Sequence, residues 1–267
     1  MPLFICGLPI GNPDDVSPRV LKTLAGVDFI AAEDTRSAAL FLRQQNIQKE
    51  LISFYDHNET SRVPQLIELL NSGKTIALIS EAGMPLISDP GYHLVKAARR
   101  ENIPVDVIPG PTALITALAA SGLPTDSFVF HGFLSAKSGT RRQELAGLER
   151  ETRTVIFYEA PHRILDTLGD IAAVFPERQC FIGRELTKKY QEHLHGTAKE
   201  ILQKLKTVKG EFVIVLAGNQ KSSADLPPEI EKLAGELKKA GLSAVKVTEI
   251  ISETFALPKN KIKKILF

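Results

Sequence analysis

The chain has 267 residues, of which 43% are hydrophobic and 24% charged, and its formal net charge at pH 7 is +2. This length exceeds the usual single domain of about 100 to 200 residues, so two lobes are expected. No apolar run approaches the ~20 residues of a membrane-spanning helix, and the first residues enter a strand pattern without a basic leader, so we expect a cytoplasmic protein with no membrane contact. The net charge is too small to indicate nucleic-acid binding by itself.

Apolar runs of strand length alternate with segments of helical period almost throughout the chain, a pattern typical of parallel βαβ units. In the first half the predicted strands are residues 3–6, 27–32, 51–54, 75–79 and 105–108. The predicted helices between and after them are residues 17–25, 36–46, 60–71, 91–100 and 111–121. A Gly/Pro turn at residues 122–126 then marks the boundary between a first lobe, 1–121, and a second lobe, 122–218.

The second half resumes the alternation and ends in a helical tail. Its predicted strands are residues 127–133, 154–159, 179–184 and 211–216, and its predicted helices are 140–150, 162–174 and 198–205. A polar segment with a Pro pair, 219–228, is the predicted linker to a small helical domain, 229–267. In this tail a helix over 229–240 precedes one capped by Ser243 and a last one that starts at Pro258. We therefore predict an α/β protein of two lobes with a helix-turn-helix-like C-terminal domain.

Three loops rich in Gly and Pro each follow a predicted strand of the first lobe. Loop 1 covers residues 7–13, loop 2 covers residues 80–91 and loop 3 covers residues 108–113. The carboxyl ends of parallel strands lie at one edge of a sheet, where open α/β folds bind their ligands. Loops of this composition shape a pocket with backbone rather than side chains, which suits a ligand recognised by its outline and by main-chain donors and acceptors.

The motifs that the sequence lacks exclude several classes of ligand. No strand is followed by a glycine-rich phosphate cradle, so nucleoside phosphates and dinucleotides are poor candidates. S-adenosylmethionine fits better, because its sulfonium cation favours carbonyl oxygens and an apolar, backbone-lined pocket. No nucleophile elbow or His/Cys/Asp arrangement indicates covalent catalysis. His193 and His195 lack a nearby third ligand, so no metal is expected, and Cys6 and Cys180 are predicted to be buried free thiols.

Charged segments stand at two strand ends, residues 32–36 and 183–189, and a basic loop without acids spans residues 135–142. Any one of these charged side chains is explained as well by a helix cap or a surface ion pair as by a function. Two charged clusters beside one cleft, however, favour a functional role. The basic loop is either a solvated loop or a phosphate contact. The tail has four lysines and no acid in its last eleven residues. It is likewise either a solvated capping element or a nucleic-acid contact.

Eight short motifs occur in one order over nearly the whole chain. They are residues 8–12 (LPIGN), 32–36 (AEDTR), 88–91 (SDPG), 108–111 (IPGP), 136–139 (AKSG), 157–163 (FYEAPHR), 184–188 (RELTK) and 209–212 (KGEF). With them the sequence closely resembles the bacterial small-subunit ribosomal RNA methyltransferase I family, the cytidine 2′-O-methyltransferases of the tetrapyrrole-methylase superfamily. The chain departs from the family pattern at Leu8 and Met84, where Thr is commoner, and at His131, where Glu is common.

The resemblance implies two α/β lobes with S-adenosylmethionine in the cleft between them, a homodimer, and methylation of a cytidine ribose in the decoding region of 16S ribosomal RNA, within the 30S subunit. It implies that the cofactor contacts Leu8, Pro9, Ser80, Gly83, Met84, Ile87, Thr112, Ala113, Phe157, Tyr158, Leu186, Glu211 and Phe212. RNA contacts are expected from Lys137, Arg141, Arg142, Lys259 and Lys263.

The reaction assigns roles to four further residues. A ribose hydroxyl needs a proton acceptor within hydrogen-bond reach, and Glu185 and Asp34 are the two candidates. Arg36 and Lys188 are expected to hold the neighbouring phosphates. A tetrapyrrole (precorrin-type) methylase of the same fold is the alternative, although it needs neither a basic loop nor a lysine-rich tail. A non-catalytic RNA-binding module would have no use for three converging Pro/Gly loops.

Overall fold

The computed structural model describes residues 1–219 and 228–266, so the predicted linker, 219–228, lies almost wholly outside the described residues. Five parallel strands form the first sheet: β1 (Leu3–Cys6), β2 (Phe29–Ala32), β3 (Glu50–Ser53), β4 (Ile76–Ile79) and β5 (Val105–Ile108), in the order β3-β2-β4-β1-β5. Its helices are α1 (Pro18–Gly26), α2 (Thr35–Gln44), α3 (Glu59–Asn71) and α4 (Tyr92–Arg100). The predicted parallel βαβ pattern is confirmed here, with boundaries within two residues.

Two apolar cores cover the two faces of this sheet. One contains Val20 and Leu24 of α1 beneath β1 and β2. The other contains Leu66 and Leu70 of α3 together with Leu94 of α4. Strands buried on both faces carry continuous apolar runs instead of an alternating pattern, which is why β4 reads Ile-Ala-Leu-Ile and is buried throughout.

The second sheet has mixed direction. Its strands are β6 (Phe128–Phe133), β7 (Thr154–Glu159), β8 (Gln179–Arg184), β9 (Glu192–Thr197) and β10 (Phe212–Leu216), in the order β6-β7-β10-β8-β9. Only β6 and β7 are parallel, whereas β10 pairs antiparallel with β7 and β8, and β9 pairs antiparallel with β8. The βαβ pattern therefore does not extend through this lobe, and β9 was not among the predicted strands. Helices α6 (Ser138–Gly147), α7 (Ile164–Val174) and α8 (Ala198–Lys204) cover one face.

Helix α5 (Ala113–Ser121) covers the other face of the second sheet. Its Leu114, Ala117 and Leu118 form one buried cluster with Ile156 and Phe181 of that sheet. The predicted lobe boundary at residue 122 follows α5, whereas the packing of α5 groups it with the second sheet. Helix α5 therefore joins the two lobes. It belongs to the first half of the chain, and its apolar side chains are buried against the sheet of the second half.

Three helices form the C-terminal region: α9 (Pro228–Lys239), α10 (Ala244–Phe255) and α11 (Lys259–Leu266). Ile230, Val247 and Ile262 form a small core of their own, and Ser243 caps α10 by accepting a hydrogen bond from the Lys246 N–H, as predicted. Within the described part of the chain, no helix has the length and apolar character needed to cross a membrane. Cys6 and Cys180 are buried free thiols, which confirms that prediction.

Candidate active site

The three Pro/Gly loops meet at the carboxyl edge of the first sheet, as predicted. Loops 1 and 2 are joined by two backbone hydrogen bonds, from the Leu8 N–H to the Gly83 carbonyl at 2.8 Å and from the Gly83 N–H to the Leu8 carbonyl at 3.1 Å. Loops 1 and 3 touch through glycines, because a Cβ on Gly110 would lie 2.7 Å from the Gly7 carbonyl oxygen. Only glycine lets the backbones approach so closely. This part of the site is therefore built from main chain.

Loop 2 is fixed from below by a buried carboxylate. Glu59, the first residue of α3, accepts hydrogen bonds from the N–H groups of Gly91, at 3.0 Å, and His93, at 2.9 Å. Within the loop, Leu86 and Ser88 adopt positive φ angles of 73° and 68°. Such backbone strain persists where the surrounding structure holds it, and it is concentrated at functional sites. The loop is a shaped element of the site.

A cavity of about 620 Å³ opens between these loops and the second sheet. A volume of this order is typical of a small-molecule cleft. The lining residues are Pro9, Ile10, Gly11, Glu33, Glu81, Ala82, Gly83, Met84, Ile87, Ser88, Asp89, Thr112, Ala113, Phe133, Tyr158, Glu159, Ala160, Pro161, Lys188, Glu211, Phe212 and Val213.

Nine of the thirteen expected cofactor contacts lie in this lining: Pro9, Gly83, Met84, Ile87, Thr112, Ala113, Tyr158, Glu211 and Phe212. The other four do not. Leu8 and Ser80 line a smaller neighbouring cavity of about 150 Å³ beside α2. Phe157 faces the core of the second lobe, and Leu186 is buried in the cluster between the lobes. For Phe157 the reason is strand alternation, since its neighbour Tyr158 takes the cavity face.

Tyr158 also joins the two lobes. Its hydroxyl oxygen accepts a hydrogen bond from the Leu114 N–H at 3.2 Å, at the start of α5. Burial, together with the nearby Asp89 charge, raises the pKa of Tyr158 to about 12 against an opposing effect of the Leu114 hydrogen bond. The phenol therefore stays neutral at physiological pH and acts as a fixed wall of the cavity.

The first-lobe side of the cavity is acidic, with Glu33, Glu81 and Asp89 in its lining. Burial, reinforced by the charge of Glu33, raises the pKa of Asp89 to about 7, while a hydrogen bond with Ser80 opposes the rise. Burial also raises the pKa of Glu33. Among the described residues none forms an ion pair with these three carboxylates, and the positive charge of a sulfonium would offset their mutual repulsion.

On the second-lobe side, Lys188 is clamped between two carboxylates. Its Nζ donates to Glu185 Oε1 at 2.9 Å and to Glu211 Oε2 at 3.0 Å. Glu185 Oε1 also accepts the Glu211 N–H at 3.0 Å, so both bonds fall on one oxygen. The turn that carries Glu185 and Lys188 is strained, with φ of 50° at Glu185 and 65° at Thr187.

These contacts set the protonation states of the pair. Burial works to raise the pKa of Glu185, but its bonds with Lys188 and with the Glu211 N–H outweigh burial and hold the pKa below the ordinary value. For Lys188 burial works in the opposite direction, yet its two carboxylate partners hold the pKa above the ordinary value. At neutral pH the site therefore presents a charged carboxylate beside a charged ammonium.

Glu185, Asp34 and Arg36 all lie outside the cavity lining, although Glu185 is bonded to Lys188, which lines it. Asp34 caps α2, since its Oδ1 accepts hydrogen bonds from the N–H groups of Arg36 at 2.7 Å and Ser37 at 3.1 Å. It is Glu33, the preceding residue of the motif, that lines the cavity. The Arg36 side chain is exposed.

Arg141 was expected to contact RNA, but the structure buries it. Only 2% of Arg141 is exposed, and its guanidinium forms an ion pair of 2.7 Å with Asp170 of α7. It also donates to the carbonyls of Ser135 and Ala136, which holds the segment before α6 in place. A basic run cannot show from sequence which of its members turns inward. Its neighbour Arg142 is more than half exposed, although it shares Asp170.

The remaining expected RNA contacts are on the surface. Lys137 is the exposed N-cap residue of α6, without a side-chain cap. Lys259 and Lys263 are exposed on α11, where Lys259 forms a loose ion pair of 3.8 Å with Glu249. His193 and His195 both pack against the ring of Phe181. Among the described residues, no group of three or more His, Cys, Asp and Glu side chains could hold a metal ion.

Sequence reasoning missed several lining residues, chiefly Glu33, Asp89, Phe133 and Glu159. A signal existed for Glu33, Asp89 and Glu159, because all three stand inside motifs that had been singled out. Glu159 is fully buried beneath the cavity, where it forms an ion pair with Arg163 and accepts a hydrogen bond from Thr167. For Phe133 there was no signal except the preceding glycine.

Comparison with known proteins assigns the chain to a family. The profile of the family "Tetrapyrrole (Corrin/Porphyrin) Methylases" matches residues 2–202. "Ribosomal RNA small subunit methyltransferase I" of Escherichia coli O157:H7 is 44% identical over 268 residues, covering 98% of this chain and 93% of the relative. The chain belongs to the tetrapyrrole methylase family. The protein of the same name from Thermotoga maritima is 45% identical over 220 residues, covering 82% of this chain and 99% of the relative.

Two solved structures share the fold of this chain. Uroporphyrin-III C-methyltransferase from Thermus thermophilus, solved in complex with S-adenosylhomocysteine, has a TM-score of 0.57 at 16% identity and covers 81% of this chain and 97% of its own. Diphthine synthase has a TM-score of 0.63 at 14% identity, and the match covers 81% of this chain and 90% of the diphthine synthase chain. At these identities the likeness concerns the fold.

Proposed function

We propose that this chain is an S-adenosylmethionine-dependent methyltransferase that acts on small-subunit ribosomal RNA. The observation that carries this function is the 44% identity to a small-subunit ribosomal RNA methyltransferase over 98% of the chain, with residues of six of the eight sequence motifs lining one cavity. The identity extends through the C-terminal helices, which lie beyond the part of the chain that the tetrapyrrole methylase profile matches.

The cavity fits S-adenosylmethionine in size and in chemistry. Its first-lobe wall is held by loops 1 and 3, whose backbones approach so closely that a Cβ on Gly7 or Gly110 would clash, and its acidic side complements a cation. When bound, S-adenosylmethionine supplies an electrophilic methyl group on a sulfonium. The chain must then hold the acceptor oxygen in line with that methyl group, since positioning provides much of the acceleration in such a transfer.

We further propose that the acceptor is the 2′-hydroxyl of a cytidine in the decoding region of the 30S subunit, and that the enzyme is a cytoplasmic homodimer. The ordered motifs support this, as does the surface distribution of cations: exposed Lys137 and Arg142 on α6, and Lys259 and Lys263 on α11. Arg141 is left out of this surface, because its guanidinium is committed to Asp170. Arg36 is exposed at the start of α2 and is proposed to meet a phosphate of the bound RNA.

A 2′-hydroxyl becomes a competent nucleophile only as its proton leaves, so the site needs an acceptor. We propose Glu185 for this role and no longer Asp34. Both hydrogen bonds of the Glu185 carboxylate fall on Oε1, and among the described residues Oε2 receives none. Asp34 also accepts both of its hydrogen bonds on one oxygen, Oδ1, but it caps α2, whereas Glu185 is paired with Lys188 of the cavity lining.

Lys188 completes this arrangement. Its ammonium lines the cavity and is fixed by Glu185 and Glu211, so its position is set before any ligand binds. A fixed positive charge would hold the phosphate next to the reacting ribose and place its 2′-oxygen near Glu185. The raised pKa of Lys188 keeps it charged, which makes it a phosphate ligand and not the proton acceptor.

The test is methyl transfer from tritiated S-adenosylmethionine. We expect incorporation into unmodified 30S subunits, located by nuclease digestion at a cytidine ribose, and none into uroporphyrinogen or precorrin substrates. Cofactor binding measured by calorimetry should be unchanged by a chelator. Transfer to a tetrapyrrole but not to 30S subunits would establish the alternative activity, and binding abolished by the chelator would contradict the metal-free site.

A further inference from the structure

An irregularity in β6 decides which side chain the second lobe turns toward the cavity. Phe130 pairs with Ile156 and Gly132 pairs with Phe157, so His131 is an extra residue that bulges out of the ladder. Gly132 provides the positive φ, 78°, that this bulge uses. Because side chains alternate along a strand, the extra residue moves Phe133 onto the face that Phe130 occupies. A regular strand would turn Phe133 toward the opposite core.

The consequence is an aromatic ring at the rim of the cavity. Phe133 lines the cavity and is 53% exposed, which is unusual for a phenylalanine. Its ring packs edge-to-face on Tyr158, with 5.8 Å between the ring centres. Since the Tyr158 hydroxyl is bonded to the Leu114 N–H, the surface behind Phe133 is rigid. A Cβ on Gly132 would lie 3.9 Å from the Ser88 hydroxyl, so this rim faces loop 2.

The chain that follows Phe133 is held firmly and leads to a cation. The Ser135 N–H and hydroxyl both donate to the Glu144 carboxylate, and buried Arg141 donates to the carbonyls of Ser135 and Ala136. Lys137, only four residues after Phe133, is exposed at the start of α6. An exposed aromatic ring next to a fixed segment with an exposed cation is the combination with which proteins bind single-stranded nucleic acid, through base stacking and phosphate contact.

We propose that Phe133 stacks on the base of the target nucleotide and so orients its ribose toward the cavity. This rests on the proposed function and adds to it a positioning residue for the nucleotide. If the target nucleotide leaves its stack to reach the cavity, an aromatic surface at the mouth of the site compensates for the stacking that is lost. The bulge at His131 turns Phe133 toward the cavity and so provides this aromatic surface.

The experiment compares two phenylalanines of one strand. Phe133→Ala removes the ring at the cavity, and Phe128→Ala removes a ring that is 37% exposed at the far end of β6, outside the lining. We expect Phe133→Ala to raise the KM for 30S subunits about ten- to a hundredfold, the range of a single base–aromatic stack, with the cofactor Kd unchanged. Phe133→Tyr should restore the KM, and Phe128→Ala should leave it unaltered.

A fluorescence measurement gives a readout that does not depend on turnover. The chain has four tyrosines and no tryptophan, so Phe133→Trp introduces a single tryptophan at the rim, whose emission can be excited selectively. Single-stranded RNA containing the target cytidine should quench its emission, and the same RNA with an abasic nucleotide at that position should quench it much less. Phe128→Trp serves as the control and should show no such difference.

Three results would overturn the proposal. Equal KM values for Phe133→Ala and the wild type would make the ring ordinary apolar surface. A weakened cofactor Kd in Phe133→Ala would assign the ring to the adenosine of the cofactor. Equal quenching by the intact and abasic RNAs would exclude stacking on the target base. If the wild type fails to methylate 30S subunits, the proposed function fails, whereas the quenching comparison still decides whether Phe133 binds a base.

Discussion

The two lobes build the cavity from different materials. The first lobe contributes mainly backbone: glycines of loops 1 and 3 in van der Waals contact, and a two-bond bridge between loops 1 and 2. The second lobe contributes long or aromatic side chains, namely Phe133, Tyr158 and Lys188. A backbone wall suits a ligand of constant shape, and side chains adapt to a particular substrate. On the proposed function, we expect the first lobe to contribute most to holding the cofactor and the second lobe to select and activate the RNA.

The largest effect is expected from the second lobe. Glu185→Gln keeps the shape of the side chain and removes the basic carboxylate, so turnover should fall about 10²- to 10⁴-fold. Cofactor affinity, measured by calorimetry, should stay within about twofold of the wild type if the lobes divide the work as described. Glu192→Gln, in the neighbouring Arg184 ion pair, is the matched control and should retain turnover.

The pH dependence of turnover sharpens this prediction. Because the pKa of Glu185 lies below its ordinary value, Glu185 is ionised throughout the neutral range, and kcat should be level between pH 6 and 8. If Asp89, with a pKa of about 7, were the acceptor, kcat would rise through that range and Asp89→Asn would abolish the rise. A rising profile together with an active Glu185→Gln variant would move the role to Asp89.

A substitution in the first lobe should weaken cofactor affinity, in contrast to Glu185→Gln, which should lower turnover. Gly110→Ala places a methyl group 2.7 Å from the Gly7 carbonyl oxygen, and backbone on both sides cannot yield without separating loops 1 and 3. Overpacking of this kind costs about 1 to 3 kcal/mol, so cofactor affinity should weaken by about ten- to a hundredfold. Gly147→Ala is the control, since a Cβ there meets nothing within 4 Å. Unchanged affinity in a folded Gly110→Ala protein would remove loop 3 from the cofactor wall.

Asp89 is one of three first-lobe carboxylates in the cavity lining, and it should make the stability of the protein depend on pH. Its pKa is raised from 3.8 to about 7, so the folded state favours the protonated carboxyl. The associated stability is complete below about pH 4 and is lost as the pH rises through 7. Asp89→Asn should therefore match the wild-type Tm at low pH and exceed it at pH 8. A Tm difference independent of pH would mean that the carboxyl is not buried in solution.

The smallest effect is expected from the surface of the second lobe. Lys137→Ala and Arg142→Ala should each lower the slope of log affinity for RNA against log salt by about 0.7 to 0.9 and leave cofactor affinity unchanged. Arg141→Ala is the contrasting variant, because it leaves Asp170 buried with one fewer partner and should lower the Tm. An unaltered salt slope in both surface variants would place the RNA elsewhere.

The sequence predicted the first lobe better than the second for a physical reason. Strands β1 and β5 begin and end where the apolar runs predict, and loops 1 to 3 follow from the edge geometry of a parallel sheet. In the second lobe an apolar run does not encode strand direction, so the antiparallel partners of β10 could not be predicted. Strand β9 carries one large apolar residue, Leu194, and offered little periodicity.

The same contrast holds for the candidate site. Residues of the Gly/Pro loops were predicted because their composition has a direct conformational meaning. Phe133 was missed, since its direction depends on a one-residue bulge, and Arg141 was misassigned, since its partner Asp170 is distant in sequence. Phe157 was expected to contact the cofactor, but strand alternation turns its side chain into the core of the second lobe, and Tyr158 takes the cavity face.

Helix α5 has a consequence for synthesis of the protein. Eight of its nine residues are Ala, Leu, Ile or Thr, and its seat on the second sheet is finished only when β10, Phe212–Leu216, has been made. On the ribosome the first sheet can close while this helix still has nothing to cover it. The nascent chain thus carries an exposed apolar segment for a long stretch of translation. Release of the first lobe alone by an early stop codon should yield an aggregating fragment or a chaperone substrate, and a truncation before α5 should be the more soluble one.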